Sequence, residues 1–170
     1  FTPLEGLVMA TRSGSVDPGM VLWLLEQTEL TVEDISVGLE REGGLAGVSG
    51  VGGDLRDVGH AAAEGSEQAA LALAVYDHSL ASLTAAMITS CGGLDVLVFT
   101  GGVGEHSVER RSNLIASLGY LGVELNTVTN NATHSDGVIS DSKSSAAVVV
   151  VTAREDLAIA TSVELLLLAD

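Results

Sequence analysis

The sequence predicts an α/β fold, and three observations carry that prediction. Residues 96–100 (VLVFT) and 146–152 (AAVVVVT) are short, uncharged and rich in β-branched side chains, as strands buried on both faces are. Each of them runs on into a stretch with helical spacing. The rest of the apolar content is aliphatic: 46% of the residues are hydrophobic and only 3% aromatic. That composition suits helices packed on a sheet and does not suit a surface that stacks bases.

With 170 residues the chain can form one domain with a real core, or half of a two-domain enzyme. It begins at Phe1 without an initiating Met and reads as a fragment. Seven basic residues against 23 acidic ones give a formal charge of -16. Such a field repels nucleic-acid backbones and anionic membranes, so neither is expected as a partner. Lys143 is the sole lysine, which excludes a mechanism built on a P-loop lysine. Phosphate would have to be met by arginine, backbone N–H or a metal ion. Cys91 is alone and closes an apolar helical run, so it reads as a small core residue. No signal peptide and no bilayer-spanning apolar run is read, and a soluble cytoplasmic location is expected.

Taken in order, residues 1–16 mix short apolar pieces with Gly, Thr and Ser, which predicts turns. Arg12 is the one cation there, either paired to a carboxylate or aimed at an anion. Asp17 with Pro18 opens a helix that carries Val21, Leu22, Leu24 and Leu25 inward. Thr31 and Asp34 form a capping box for a second helix, ending near Gly43 and Gly44. Residues 45–57 are glycine-rich and predict a flexible loop. It delivers Asp54 and Arg56 together, to hold a ribose hydroxyl and a phosphate or as an ordinary ion pair. A long Ala/Leu helix over 64–90 follows, with Tyr76 and His78 as surface groups and cover expected on both sides. His60 and His134 have no ligand-spaced partners and are assigned no metal.

The stretch most specific in chemistry is 95–111, DVLVFTGGVGEHSVERR. A strand leads over Gly101, Gly102 and Gly104 into a helix with Val108, Leu114, Ile115 and Leu118 on one side. Glu109, Arg110 and Arg111 are expected on the other. A helix start after a glycine turn suits a phosphate or the polar edge of a nucleotide, or is merely a tight connection. Short strands are expected over 120–125 and 137–140, with a polar connection over 130–136. After the strand at 146–152, Glu155 opens a final helix whose Leu157, Ala160, Val163, Leu165 and Leu166 face inward. Its carboxylate compensates the helix dipole or stands behind a metal ion. No repeat or linker is seen, and one compact unit is expected.

FTGGVGEHS at 99–107 resembles the adenosine-binding segment of the acetate and propionate kinases, usually FTxGIGENS. TPLEGLVMATRSGSVDPG at 2–19, GGDLRDV at 52–58, LGVELN at 121–126 and REDLAIA at 154–160 resemble the same family at matching relative positions. The resemblance implies that residues 1–170 are the C-terminal, nucleotide-binding half of a two-domain acetate kinase whose N-terminal half is absent. The implied fold is the α/β, ribonuclease H-like C-terminal domain of the actin, sugar-kinase and heat-shock-chaperone superfamily. The implied reaction is reversible phosphoryl transfer between ATP and acetate with Mg2+ or Mn2+, by a homodimer.

Position by position, Arg12 looks like the arginine that stabilises the transferring phosphoryl group, and Pro3 like part of the pocket for the acetate methyl. Asp54, Leu55 and Arg56 match a loop that lies against the nucleotide. Gly102, Val103, Gly104, Glu105 and His106 match the segment around adenosine, and Glu155 matches a magnesium-associated carboxylate. Three positions depart from the family pattern: Ala10 for glycine, Leu55 for an aromatic residue and His106 for asparagine. The family's second arginine, catalytic aspartate, histidines and phosphate-binding asparagine belong to the half that is not here.

Overall fold

The structure is a computed structural model that describes residues 1–133 and 135–168. His134, assigned no metal above, lies outside the described residues. The chain divides into two compact units, Phe1–Ser90 and Cys91–Asp170, where the sequence had suggested one.

In the first unit, residues 1–16 form turns and bends as expected. Helix α1 (Pro18–Gln27) starts where predicted, with Pro18 in its first turn and Asp17 Oδ1 accepting from Gly19 N at 2.9 Å. Its apolar side chains are not inward: none is buried, and Leu22 and Trp23 are exposed. Helix α2 (Val32–Glu40) has the predicted capping box. Thr31 Oγ1 accepts from Asp34 N at 3.1 Å, and Asp34 Oδ2 accepts from Thr31 N at 2.8 Å. The expected flexible loop is mostly helical, split between α3 (Gly44–Ser49) and α4 (Leu55–Ala63). Leu45 and Val58 draw these segments into the core with Val8, Ala69, Ala72 and Tyr76. Burial of these two aliphatic side chains, with the backbone bonds from Leu45 N and Ala46 N to Met9 O and Ala10 O, works against the backbone entropy of the glycines between them.

Helix α5 (Glu67–Cys91) is the long helix. Tyr76 is buried in the core rather than on the surface, while His78 is exposed. Cover on both sides is not found, since Leu71, Val75 and Met87 are exposed. Cys91, expected in a core, is exposed as well. By length and composition α5 is apolar enough to cross a membrane, which corrects the sequence reading. Ala69, Ala72 and Tyr76 of the same helix nevertheless belong to the first unit's core.

The second unit is built on a mixed three-stranded sheet, in the order β1 (Val96–Phe99), β3 (Ala147–Val150), β2 (Gly137–Val138). β1 runs parallel to β3, with Val96 opposite Ala147 and Phe99 opposite Val150; β2 is antiparallel to β3. A parallel pair needs a long crossover. It contains α6 (Gly101–His106), α7 (Val108–Ser117), a 3-10 turn at Gly119–Leu121 and α8 (Thr127–Ala132). The strand expected over 120–125 is therefore a 3-10 turn followed by extended chain, of which only Leu125 bridges to Ser140. β1 is not buried on both faces: Phe99 is buried, but Val96 and Val98 on the opposite face stay half exposed at 52% and 50%. Helix α9 (Glu155–Leu167) closes the unit, with Leu157, Val163, Leu165 and Leu166 exposed instead of inward. It is apolar nearly all round, so periodicity had no single face to report.

Candidate functional site

Arg12 lies in a loop, 9–14, that lacks regular structure yet is fixed through its backbone. Met9 N donates to Arg12 O at 3.1 Å, closing the loop on itself. The carbonyls of Met9 and Ala10 accept from Leu45 N and Ala46 N, both at 2.9 Å. The loop thereby caps α3, whose N-cap residue Gly43 has no side chain to do so. Ser13 N donates to Leu39 O at 2.9 Å.

The glycines facing this loop have a steric task. Gly44 has φ 64°, and a Cβ there would lie 2.8 Å from Arg12 O and 2.9 Å from Arg12 N. A Cβ on Gly53 would lie 2.6 Å from the Ala10 Cβ. These positions form the floor on which the Arg12 loop rests. The guanidinium itself is exposed and has no hydrogen bond or ion pair among the described residues. Of the two readings of Arg12, structural pairing is not what the structure shows. A fixed backbone carrying an unpaired guanidinium offers charge to an external anion.

Elsewhere in this unit, Asp54 is the N-cap of α4 and accepts from Arg56 N at 2.9 Å. Its carboxylate also takes Arg56 Nε at 3.0 Å and Arg56 Nη2 at 2.5 Å. The Arg56 side chain first, and then its backbone N–H, hold the Asp54 pKa down at about 2. The pair is exposed and adds little stability. As it stands it is an ordinary ion pair, and an anionic ligand would have to compete with Asp54 for Arg56. Leu55 packs against the core, and Pro3 is exposed in a turn.

In the second unit the glycine turn is itself helical. α6 starts at Gly101, and α7 begins two residues after its end. Gly102, Val103 and His106 are exposed, while Gly104 packs closely, with a Cβ there 3.2 Å from Phe99 C. Glu105 is buried, and its Oε1 accepts from Gly101 N at 2.8 Å and from Ala153 N at 2.9 Å. A carboxylate thus already stands at the α6 N-terminus, where a phosphate had been one reading.

Arg111 is fully buried, not on a solvated face. Its Nη1 donates to Gly104 O at 3.0 Å and Glu105 O at 2.7 Å, its Nε to Asn130 Oδ1 at 2.7 Å, and its Nη2 to Asn130 O at 2.9 Å. Burial pulls its pKa below the ordinary guanidinium value. Arg110 is buried too, and its guanidinium meets Glu109 at 2.6 Å.

Glu155 is exposed at the first position of α9. The residues leading to it are held from outside. Asp136 accepts from Thr152 N at 2.7 Å and pairs with Arg154 at 2.7 Å. The Thr152 N–H and then Arg154 hold the Asp136 pKa down at about 2. Among the described residues no group of three or more His, Cys, Asp or Glu could hold a metal ion.

The acetokinase family profile matches residues 1–161. The chain belongs to this family. It is 47% identical to the acetate kinase of Nostoc punctiforme over 160 residues, 94% of this chain and 40% of that protein. It is also 43% identical to acetate kinase 2 of Neisseria meningitidis over 162 residues, 94% of this chain and 41% of that protein. The crystal structure of Porphyromonas gingivalis acetate kinase superposes with a TM-score of 0.90 at 38% identity, over 98% of this chain and 42% of that one. A propionate kinase from Francisella tularensis gives 0.84 at 35% identity, over 92% of this chain and 40% of that one. The α/β architecture with its small mixed sheet is that of the actin, sugar-kinase and heat-shock-chaperone fold expected from the resemblance. The chain spans about 40% of the length of the curated relatives it matches.

Among acetokinase positions, sequence reasoning missed the steric role of Gly44 and Gly53, the buried contacts of Arg111 and Asn130, and the exposed pairing of Asp136 with Arg154. Only Arg111 had a readable signal. It precedes Leu114, Ile115 and Leu118 by three, four and seven residues, which is the spacing of the buried stripe.

Proposed function

We propose that this chain forms the nucleotide-binding part of an acetate kinase, which transfers a phosphoryl group reversibly between ATP and acetate to give acetyl phosphate and ADP. The observation that carries the proposal is the unpaired Arg12 guanidinium on its backbone-fixed loop. In such a transfer the bond from phosphorus to the bridging oxygen of ADP breaks while one forms to a carboxylate oxygen. Negative charge spreads over the equatorial oxygens, and a prepositioned guanidinium neutralises it. Arg12 has that charge and that freedom. Residues 102–106 are read as the adenosine segment, Asp54 to Arg56 as a nucleotide-side loop and Pro3 as part of the acyl pocket. The propionate kinase neighbour favours propionate as a second acyl acceptor.

A divalent ion, Mg2+ or Mn2+, belongs to the same reading. Magnesium commonly keeps several waters and takes one or two carboxylates plus substrate phosphates. The exposed carboxylate of Glu155 fits as one such oxygen donor, and Asp136 already neutralises Arg154 beside it. When bound, the ion would supply charge neutralisation on the phosphates. A cytoplasmic location accompanies this reading.

The test combines ADP titration calorimetry with a hydroxamate assay for acetyl phosphate. The 170-residue chain is expected to bind ADP and to form no acetyl phosphate, because the resemblance places other phosphoryl-handling groups outside it. Supplying the N-terminal half of a complete relative should restore turnover. Acetyl phosphate from the chain alone would overturn this division of labour. ADP binding with no turnover under any complementation would favour a non-catalytic nucleotide-binding module.

Gly102→Val tests the adenosine segment. Gly102 has ordinary φ and no atom within 4 Å of a built Cβ, so the fold should tolerate the side chain. ADP affinity should fall about tenfold, roughly 1.4 kcal/mol, with melting unchanged. Unfolding, or unchanged affinity, would make the segment a plain connection.

A symmetric dimer is also proposed, supported by the exposed leucines of α9 and the exposed Leu22 and Trp23 of α1. The charge of -16 opposes association, but salt screens it beyond about 8 Å. Sedimentation equilibrium at two salt concentrations should give a dimer at both; a monomer throughout would reject it.

A further inference from the structure

We propose that Glu105 and Arg111 are positioning residues that grip the two ends of α6 and so preset residues 101–106 for a nucleoside, with the phosphates kept away from the helix start. The inference rests on the reading of 102–106 given above and adds to it which side chains build the segment. At the front, Glu105 Oε1 accepts from Gly101 N at 2.8 Å, satisfying a backbone donor that a helix start otherwise leaves free. At the back, Arg111 Nη1 takes the carbonyls of Gly104 and Glu105 at 3.0 Å and 2.7 Å.

Each grip reaches a second element. Glu105 Oε1 also accepts from Ala153 N at 2.9 Å, at the junction of β3 and α9. Arg111 also holds Asn130 of α8 through both its side-chain and its backbone oxygen. Both side chains are buried, at 8% and 0% exposure, so water competes little for these bonds. All four acceptors of Arg111 are neutral oxygens, so its positive charge is not spent on a carboxylate. A six-residue helix containing three glycines would be marginal by itself. Gripped at both ends, it keeps one shape with Gly102, Val103 and His106 outward. The Glu105 carboxylate at its start repels a ligand's phosphates.

The test measures ADP binding by calorimetry on the full chain, alongside melting and amide exchange. Glu105→Ala is expected to lower ADP affinity roughly tenfold in a folded protein. Glu105→Gln, whose amide oxygen can accept the same two N–H groups, should restore most of that loss. In the unmutated chain the amides of Gly101 and Ala153 should exchange as slowly as those of β3, a readout that needs no variant to fold. A wild-type chain that binds no ADP would overturn the nucleotide reading and this inference with it. Wild-type binding with Glu105→Ala unchanged, or fast exchange at Gly101 and Ala153, would overturn the inference alone.

Discussion

Arg12→Ala, made in a complete enzyme that contains this chain, is expected to lower kcat by about 10³-fold. The KM for ATP should move by less than about threefold, because an interaction made chiefly in the transition state contributes little to ground-state binding. The structural ground is specific. No side chain among the described residues depends on the guanidinium, so its removal leaves no orphaned partner and no reason to unfold. Steady-state kinetics with ATP and acetate, with a melting curve as control, decide the matter. A raised KM with kcat nearly intact would make Arg12 a ground-state binding residue.

Gly44→Ala should damage both the fold and the chemistry. The position combines φ 64° with a Cβ that would meet the backbone of the Arg12 loop, at 2.8 Å from Arg12 O among other atoms. Left-handed strain and overpacking together should cost roughly 2–4 kcal/mol. Because the obstructing atoms are backbone, relief requires the loop to move, and Arg12 moves with it. Loss of stability and loss of kcat are therefore expected together. Gly38→Ala is the matched control: it lies within α2 with nothing within 4 Å of a built Cβ, and a helical alanine there should leave stability equal or higher. Equal melting for Gly44→Ala and the parent would show that the close approach is not real.

What the sequence disclosed divides along physical lines. Local signals were legible: the Asp17–Pro18 start, the Thr31 capping box and the strand at 147–150 arise from neighbouring residues and stand where expected. Non-local steric fit was not. Nothing near Gly44 in the chain says that residues 9–12 will lie across it, so a rigid floor read as a flexible loop. The residues of α9 and α1 failed differently: helix periodicity tells which side chains are apolar, not whether anything covers them. In the candidate site, Arg12 and the 101–106 segment were readable as motifs. That Glu105 turns back on its own helix was not, because its second partner, Ala153, lies 48 residues away.

The manner in which the Arg12 loop is held bears on how such a protein can drift. Its restraints run through carbonyls and N–H groups, which every amino acid except proline carries, and its fit depends on what is missing at Gly44 and Gly53. The exposed side chain of Thr11 can therefore change identity with little disturbance to where the guanidinium stands, whereas Ala10 faces Gly53 and has less room. Intolerance is displaced to positions more than thirty residues downstream of the arginine, which contribute no functional group at all. Heritable loss of function in this segment should thus arise as often from an added methyl group in the floor as from change in the loop above it.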